Sequence, residues 1–322
     1  MNKDPLVSII IPSYNSAKFV SEAVDSALAQ TYPKIEIIIV DDGSSDNTKE
    51  VIAKYGDKIN YIYQANKGLA GARNTGIAAA AGEFVALLDA DDIFLPEKIA
   101  KQVEFLKSHP GCDISYSDLY HFWDDRPQEL LELGYKYYSG DEVLPRLIER
   151  DFIAPLTMLI RKSVFERFGV FDEQFRRSED LEFLVRILKQ GARICFLSER
   201  LAKLRLRRTD NLQGFGSQPE VKRTGLMIFE ALNREVSETE RKRLNLLHNL
   251  VRYRFKTGLA YLENGDKRNA RGYITTAFKS LRWGKIWGWL FWFPLALIPA
   301  GLLAAVLRAY HVRRQRSLLK RK

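Results

Sequence analysis

The sequence is poor in residues that build covalent or metal-held scaffolds. Its 322 residues include two cysteines, Cys112 and Cys195, which are too few for a disulfide scaffold or a cysteine-based zinc site. Both stand among apolar residues, so we expect buried free thiols in a reducing, cytosolic compartment. Twenty glycines and 11 prolines exclude a collagen-like or low-complexity chain.

A secretory signal is also missing. Residues 1–5 lead directly into a strand-like run, without an apolar region of about 7–15 residues or a small-residue cleavage site, and we expect no signal peptide. The composition, 46% hydrophobic and 28% charged, is typical of globular proteins. The length corresponds to about two domains.

Basic residues are outnumbered in the first two thirds of the chain. The net charge is +10, but residues 223–322 hold 21 Lys+Arg and 6 Asp+Glu, which leaves residues 1–222 with a net charge of −5. An acidic amino-terminal part argues against nucleic acid as a partner. The basic carboxyl-terminal part favours an acidic partner, and an anionic membrane surface is the first candidate.

Apolar runs alternate with helix-like stretches over the first ninety residues. The runs are nearly continuous in apolar residues, which is typical of strands buried on both faces of a parallel sheet. The predicted strands are residues 6–11, 35–40, 60–63 and 83–88. Alternation of this kind predicts an α/β domain with right-handed crossovers.

Polar residues follow each of these predicted strands. The polar segments are residues 12–15, 41–43, 64–67 and 89–92. Because ligands bind outside the carboxyl ends of strands in an open parallel sheet, this edge is the predicted functional site.

Asp89 and Asp91 form the sharpest single motif at this edge. Two carboxylates spaced two residues apart after a buried strand offer hard oxygen ligands to Mg²⁺ or Mn²⁺. Clustered acids repel one another unless a cation lies among them. The alternative is a solvated acidic loop or a cap for the helix that follows Pro96.

The glycine-rich stretch from Gly68 to Gly76 lacks two specific signatures. No Lys-Ser/Thr follows it, and no Gly-x-Gly-x-x-Gly occurs, so a P-loop NTPase or a dinucleotide dehydrogenase is disfavoured. Arg73 could reach a nucleotide from this stretch, or lie on a solvated helix face.

Four motifs in order, with a fifth element at Ser178–Leu181, carry a family resemblance. The motifs are residues 7–15, 40–46, 66–76 and 88–92. Together they resemble a family 2 glycosyltransferase with the GT-A fold, over about residues 6–210. The resemblance implies a Rossmann-like, mostly parallel sheet flanked by helices.

The resemblance also implies roles for residues that would hold the nucleotide. Pro12 and Tyr14 would line the nucleobase pocket, and Asp42 would accept a hydrogen bond from uracil while Asp41 supports the turn. Arg73 would lie near the base and ribose.

Further implied roles concern the sugar, the metal and the acceptor. Asp89 would face the ribose or the sugar, and Asp91 would bind the Mn²⁺ or Mg²⁺ that bridges the phosphates. Asp180 matches the general base, with Glu179 beside it. The alternative for this acidic pair is a cap that opens a helix.

Arg205 and Arg207 lie where related enzymes have a loop that contacts the diphosphate. Arg207 takes the position of a histidine in that loop, which puts a metal-ligand role there in doubt. The alternative is a solvated basic loop.

The implied reaction is transfer of a sugar, with inversion, from a nucleotide-sugar to a hydroxyl acceptor. A UDP-sugar is the first expectation, and a lipid-linked acceptor in surface polysaccharide or glycolipid synthesis is a hypothesis. The alternatives are a nucleotidyltransferase on the same fold and a catalytically degenerate scaffold docked on a membrane.

The expected acceptor side, at about residues 110–175, carries no recognisable motif, but it is rich in aromatic residues. These suit sugar stacking, although core packing is their commoner use. The aromatic positions are Tyr116, Tyr120, His121, Phe122, Trp123, Tyr135, Tyr137 and Tyr138.

The carboxyl-terminal third is predicted to be helical and then membrane-associating. Residues 286–307 carry no charge and exceed the length that a membrane span requires. Two prolines interrupt the run, and a span would place the basic tail away from the cytosol. We therefore expect an interfacial or re-entrant segment on the cytoplasmic face, with a core or oligomer-interface helix as the alternative.

The expected domain organisation follows from these patterns. A GT-A domain would occupy residues 1–220, with a nucleotide-binding half at 1–110 and an acceptor half at 111–220. A helical region would occupy 221–283, and the membrane-associating segment with its basic tail 284–322.

Overall fold

The computed structural model describes residues 4–207 and 218–280, which belong to two compact units, Met1–Asn211 and Leu212–Lys322. The strands are β1 Val7–Ser13, β2 Ile35–Asp41, β3 Asn60–Tyr63, β4 Phe84–Leu87, β5 Ile93–Phe94, β6 Ile114–Trp123, β7 Arg126–Leu131, β8 Met158–Arg161 and β9 Ile194–Leu206. The helices of the first unit are α1 Val20–Leu28, α2 Thr48–Ala53, α3 Gly68–Ala79, α4 Lys98–Ser108, α5 Val143–Glu149, α6 Ser163–Phe168 and α7 Glu179–Lys189.

Strands β1 to β4 form one parallel half of the sheet, in the spatial order β3-β2-β1-β4. All seven residues of β1 and all four of β4 are buried, as the continuous apolar runs predict. The prediction of an α/β domain is confirmed. Because these strands are parallel, their carboxyl ends lie along one edge of the sheet.

The other half of the sheet is mixed and continues in the order β8-β6-β9-β5, with β7 paired to β6. β9 runs parallel to β6, whereas β4–β8, β6–β8 and β5–β9 are antiparallel pairs. The expectation of a mostly parallel sheet therefore holds only for the first half.

The apolar pattern predicts two short strands, at residues 194–197 and 201–206, whereas one strand, β9, spans both. Ser198 and Glu199 interrupt the apolar pattern, but the backbone continues across them with a shift of register opposite Ser117 and Asp118. The polar pair therefore lies within a strand irregularity instead of a turn.

The prediction of two free thiols is wrong. Cys112 and Cys195 form a disulfide, with Cα atoms 6.0 Å apart and a sequence separation of 83. Cys112 precedes β6 and Cys195 lies on β9, so the parallel pairing of these strands brings the two sulfurs together. The cytosolic expectation consequently loses the support that free thiols gave it.

The second unit is helical in its described part. Its helices are α8 Pro219–Glu235, α9 Glu238–Arg243, α10 Leu246–Glu263 and α11 Lys267–Ser280. The periodicity of residues 237–263 predicts one helix, but the structure divides this segment at Asn245, whose φ of 48° is left-handed. No helix within 4–207 or 218–280 is long and apolar enough to cross a membrane, and the predicted segment at 286–307 lies outside the described residues.

Candidate active site

The acidic residues predicted at the strand ends lie along the carboxyl edge of the parallel strands. Ser13, at the end of β1, is the register partner of Asp41 at the end of β2, and Asp41 in turn pairs with Tyr63 of β3. Asp89 and Asp91 follow β4, which lies on the other side of β1. One edge therefore carries these carboxylates.

Asp41 and Asp42 are buried and are held by the protein itself. Asp41 accepts hydrogen bonds from the Ser44 amide at 2.9 Å and the Tyr61 hydroxyl at 2.7 Å, and this carboxylate together with burial raises the pKa of Tyr61. Asp42 accepts from the Gln64 side-chain amide at 2.6 Å. It also accepts from two backbone amides at the start of α3, each at 2.8 Å.

Most acceptor positions on Asp42 are thus filled by internal donors. A carboxylate offers about four lone-pair sites, and three donors occupy them here. The structure gives Asp42 a clear part in fixing the turn before α3, and it leaves little of the carboxylate for the uracil contact that the resemblance implies.

Two exposed tyrosines flank this turn. Pro12 is buried within β1, whereas 53% of Tyr14 and 61% of Tyr63 is exposed. Neither the strand pattern nor a motif singles out Tyr63; its register opposite Asp41 places it at the edge. Asn15, with φ 48°, accepts a hydrogen bond from the Ser45 amide at 2.8 Å and so holds the two loops together.

Arg73 on α3 joins two carboxylates from distant parts of the chain. Its Nη1 lies 2.8 Å from Glu179 Oε1 and its Nη2 lies 2.9 Å from Asp89 Oδ1. Its side chain is buried, and its guanidinium lies over the Phe171 ring at 5.5 Å. Arg73 Nε and Ser13 Oγ are buried without a hydrogen-bond partner among the described residues.

The two acidic residues at the start of α7 differ in burial. Glu179 is buried, and burial, with repulsion from Asp180, raises its pKa to about 7 against the attraction of Arg73. Asp180 remains partly exposed and accepts a bond from the Leu181 amide at 2.8 Å. Burial raises the pKa of Asp180 as well, while Arg73 opposes the shift.

Asp91 forms a salt bridge with an arginine of the same chain. The Arg207 guanidinium bonds to Asp91 Oδ2, so the residue at the predicted histidine position contacts the predicted metal ligand. Burial and the neighbouring Asp89 nevertheless raise the pKa of Asp91. Its side chain is 31% exposed and remains within reach of a ligand.

The donor set fits one mode of metal binding. Within residues 4–207 and 218–280, no cluster of three or more His, Cys, Asp or Glu side chains is arranged to hold a metal. Mg²⁺, however, is commonly held by one or two carboxylates together with substrate phosphates. Asp91, with Asp89 beside it, suits that mode.

Arg205 has a different setting from the diphosphate contact that the resemblance implies. Its side chain is 3% exposed, its Nη2 bonds to Glu22 at 2.9 Å, and its Nη1 bonds to Asp124 at 3.2 Å. Its Nε bonds to the Asp91 carbonyl at 2.7 Å, and its guanidinium lies 4.7 Å from the ring centroid of Phe19. Arg205 therefore fixes the Asp91 loop through hydrogen bonds from a buried side chain.

Much of the aromatic stretch belongs to the core. Tyr116 and Phe122 are fully buried and His121 nearly so, and burial lowers the pKa of His121 to about 4. Tyr137 stacks on Phe196 at 4.4 Å between ring centroids, and its hydroxyl bonds to Asp118. Packing, the commoner use of such residues, accounts for these positions.

Comparison with known proteins places these features in a family. The model of glycosyl transferase family 2 matches residues 8–169. An uncharacterized glycosyltransferase of Rickettsia typhi is 38% identical over 206 residues, which cover 63% of this chain and 64% of the relative. The match thus spans less than two thirds of that relative's length.

Solved structures share the fold. TarS 1–349 of S. aureus, in complex with UDP-GlcNAc, has a TM-score of 0.58 and 22% identity, covering 86% of this chain and 93% of TarS 1–349. The mannosyltransferase PcManGT of Pyrobaculum calidifontis, in complex with GDP-Man and Mn²⁺, has a TM-score of 0.60 and 18% identity, covering 100% of this chain and 89% of its own.

Proposed function

This chain belongs to glycosyl transferase family 2, and from that premise we propose that it transfers a sugar from a UDP-linked donor to a hydroxyl acceptor with inversion. The observation that carries the proposal is the meeting of Asp89, Asp91, Arg73 and Arg207 at one sheet edge. Arg73 also links this group to the start of α7, where Asp180 lies.

The donor fits the edge through its base and its diphosphate. Tyr14 and Tyr63 present exposed rings on which a uracil can stack. Arg207, whose side chain is 36% exposed, supplies positive charge for the phosphates. The solved relatives complexed with UDP-GlcNAc and with GDP-Man support a nucleotide-sugar of this class.

Asp180 is the proposed general base. It removes the proton from the acceptor hydroxyl as that oxygen attacks the anomeric carbon and the bond to the diphosphate breaks. One displacement without an enzyme nucleophile inverts the configuration, as in inverting glycoside hydrolysis. Glu179, held by Arg73, orients the start of α7 instead of taking the proton.

Asp91, with Asp89 beside it, is the proposed holder of a divalent cation. A Mn²⁺ or Mg²⁺ ion bound there would act as a Lewis acid and offset the negative charge of the departing diphosphate. Because Arg207 contacts Asp91 in this structure, the arginine must share or release that carboxylate when a cation and phosphates bind.

The proposals for the acceptor and for the location of the protein rest on the sequence alone. The uncharged run at 286–307 and the basic tail support an acceptor linked to a lipid and attachment at the cytoplasmic face of a membrane. Deletion of residues 284–322 should then abolish activity on lipid-linked acceptors while leaving UDP binding unchanged. Unchanged activity on those acceptors would count against this assignment.

The donor site is tested by calorimetric titration of the full chain with UDP, in Mn²⁺ and then in EDTA. We expect metal-dependent binding that Asp91→Asn weakens at least 10-fold. Asp25→Asn, an exposed-helix acid away from the edge, is the matched control and should bind as the unaltered chain does. Failure of the folded protein to bind UDP or other nucleoside diphosphates would refute the proposal.

A further inference from the structure

The helical unit contains a groove that the proposed transfer reaction does not use. It has a volume of about 410 Å³ and is formed by α8, α10 and α11. Its lining residues are Arg223, Leu226, Met227, Glu230, Arg254, Arg268, Asn269, Gly272, Tyr273 and Thr276.

Two arginines of the groove retain their charge without a salt-bridge partner. Arg223 and Arg268 are both exposed, and neither forms a salt bridge to any residue in the described parts of the chain. The acid beside Arg268 is Asp266, whose carboxylate accepts from the Asn269 amides at 3.0 and 2.6 Å and attracts Arg268 without forming a salt bridge to it. Both guanidinium groups are therefore available to an anion.

The one carboxylate among the lining residues is already neutralised. Arg254 donates from Nε and Nη2 to Glu230 Oε1, at 3.1 and 2.8 Å. The remaining Nη1 of Arg254 donates to Ser280 Oγ at 2.6 Å. Because the charges of Glu230 and Arg254 offset each other, Arg223 and Arg268 determine the net charge of the groove lining.

Beside the arginines the groove is apolar and open. Leu226 is buried, while 49% of Met227 is exposed. A methyl group built at Gly272 would meet no atom within 4 Å, so the space above this helical glycine is empty. Tyr273, whose ring stacks on Tyr261 at 5.5 Å between centroids, completes the wall.

We propose that this groove binds the phosphate group of a lipid, with Arg223 and Arg268 on the phosphate and Met227 and Gly272 along the adjoining apolar chain. Guanidinium groups are the side chains best suited to phosphate. An amphiphile with one anionic end satisfies both halves of the groove, whereas a free phosphate leaves the apolar half uncovered.

The position of the groove in the chain agrees with a lipid ligand. The uncharged run at 286–307 begins six residues after Ser280, the end of α11, and a basic tail follows it. Segments of this composition bind anionic membrane surfaces. In sequence, the groove therefore directly precedes a segment that suits a membrane surface.

The experiment is calorimetric titration of the full chain with dioctanoyl phosphatidic acid below its critical micelle concentration. Dioctanoylglycerol and inorganic phosphate are titrated separately, since each lacks one half of the ligand. One variant is the double substitution Arg223→Ala with Arg268→Ala. Another is Gly272→Leu, which fills the groove, keeps its charge and favours helix.

The matched control is Arg234→Ala with Arg271→Ala, which removes the same charge from exposed positions on the same two helices. We expect both groove variants to weaken binding of the phosphatidic acid at least 10-fold and the control by less than 2-fold. Dioctanoylglycerol should not bind, and inorganic phosphate should bind at least 10-fold more weakly.

Three results would overturn the proposal: no binding of phosphatidic acid, an equal loss in the control pair, or equal affinity for inorganic phosphate. The second would reveal diffuse attraction to a basic surface, and the third a site for free anions. UDP binding, measured on the same samples, reports on the donor site alone, so failure there is distinguished from failure here.

Discussion

Arg73 Nη1 lies 2.8 Å from Glu179 Oε1, although 106 residues separate the two in sequence. Both side chains are buried, and the same guanidinium reaches Asp89. This contact joins α3 to the start of α7, and so connects the proposed nucleotide half of the site to the helix that carries Asp180. The geometry of the site therefore depends on one arginine.

Arg73→Met should destabilise the first unit by about 3 kcal/mol, because it leaves the buried Glu179 carboxylate without its partner. Urea unfolding of the full chain, followed by circular dichroism, measures the change. Adding Glu179→Gln should recover part of the loss, since the buried charge is then gone. Simple additivity of the two substitutions would mean that the contact contributes no coupling energy.

Asp180→Asn should lower kcat by about 10³-fold, the usual scale for loss of a general base. UDP affinity should remain within about 2-fold, since the proposed role concerns the acceptor. Release of UDP from a UDP-sugar measures turnover, and calorimetry measures affinity. A parallel Glu182→Gln variant, on the same helix, should retain full turnover; a variant at Asp180 that did the same would exclude it as the base.

Arg207→Gln should strengthen Mn²⁺ binding several-fold in the absence of nucleotide. The substitution removes the cation that contacts Asp91, and a vacated carboxylate attracts a divalent ion more strongly. Electron paramagnetic resonance of free Mn²⁺ gives the affinity. Arg200→Gln, on β9 and ion-paired to Asp118, leaves Asp91 unchanged and is the control. Equal Mn²⁺ affinity in all three proteins would show that Arg207 and the metal do not compete.

Lys98 is fully buried and lacks a carboxylate partner among the described residues. Its Nζ donates to Gln102 Oε1 at 2.5 Å and to the Met158 carbonyl at 3.2 Å. Burial lowers its pKa to about 7, from about 10.4 in an unfolded chain. Between these values the unfolded state binds more protons, so stability rises with pH across this window.

Lys98→Met should therefore stabilise the protein at pH 7, by about 2 kcal/mol after allowing for the acceptors that lose a donor. The gain should vanish near pH 10, where the lysine is neutral in the folded state. Urea midpoints at both pH values give the comparison. Lys101→Met, on the exposed face of the same helix and ion-paired to Glu199, should show no such gain; a pH-independent difference for Lys98→Met would contradict the assignment.

The acidic edge could be predicted from the sequence because it depends on local pattern. Continuous apolar runs fix parallel strands, and Asp41, Asp42, Asp89 and Asp91 directly follow those runs. Their common edge is a consequence of strand direction alone. The helical character of the second unit follows in the same way from periodicity.

Contacts between distant segments could not be predicted in this way. The disulfide requires the register of β6 with β9, and the burial of Arg205 requires β9 to end beneath the Asp91 loop. In sequence, Arg205 and Arg207 are alike, and only the packing distinguishes a buried arginine bonded to Glu22, Asp124 and the Asp91 carbonyl from one that contacts the Asp91 carboxylate. The position of Tyr63 at the sheet edge could not be predicted for the same reason, since it depends on pairing with Asp41.

Strand β9 runs without interruption from the disulfide to the candidate site. Ten residues separate Cys195 from Arg205, a span of about 30 Å at the usual rise of a strand. Side chains alternate between faces along it, so a deletion of one residue between 201 and 204 would move both Leu204 and Arg205 to the opposite face of the sheet. Insertions and deletions among relatives should therefore occur in the hairpin near Asp124, between β6 and β7, and not in this strand.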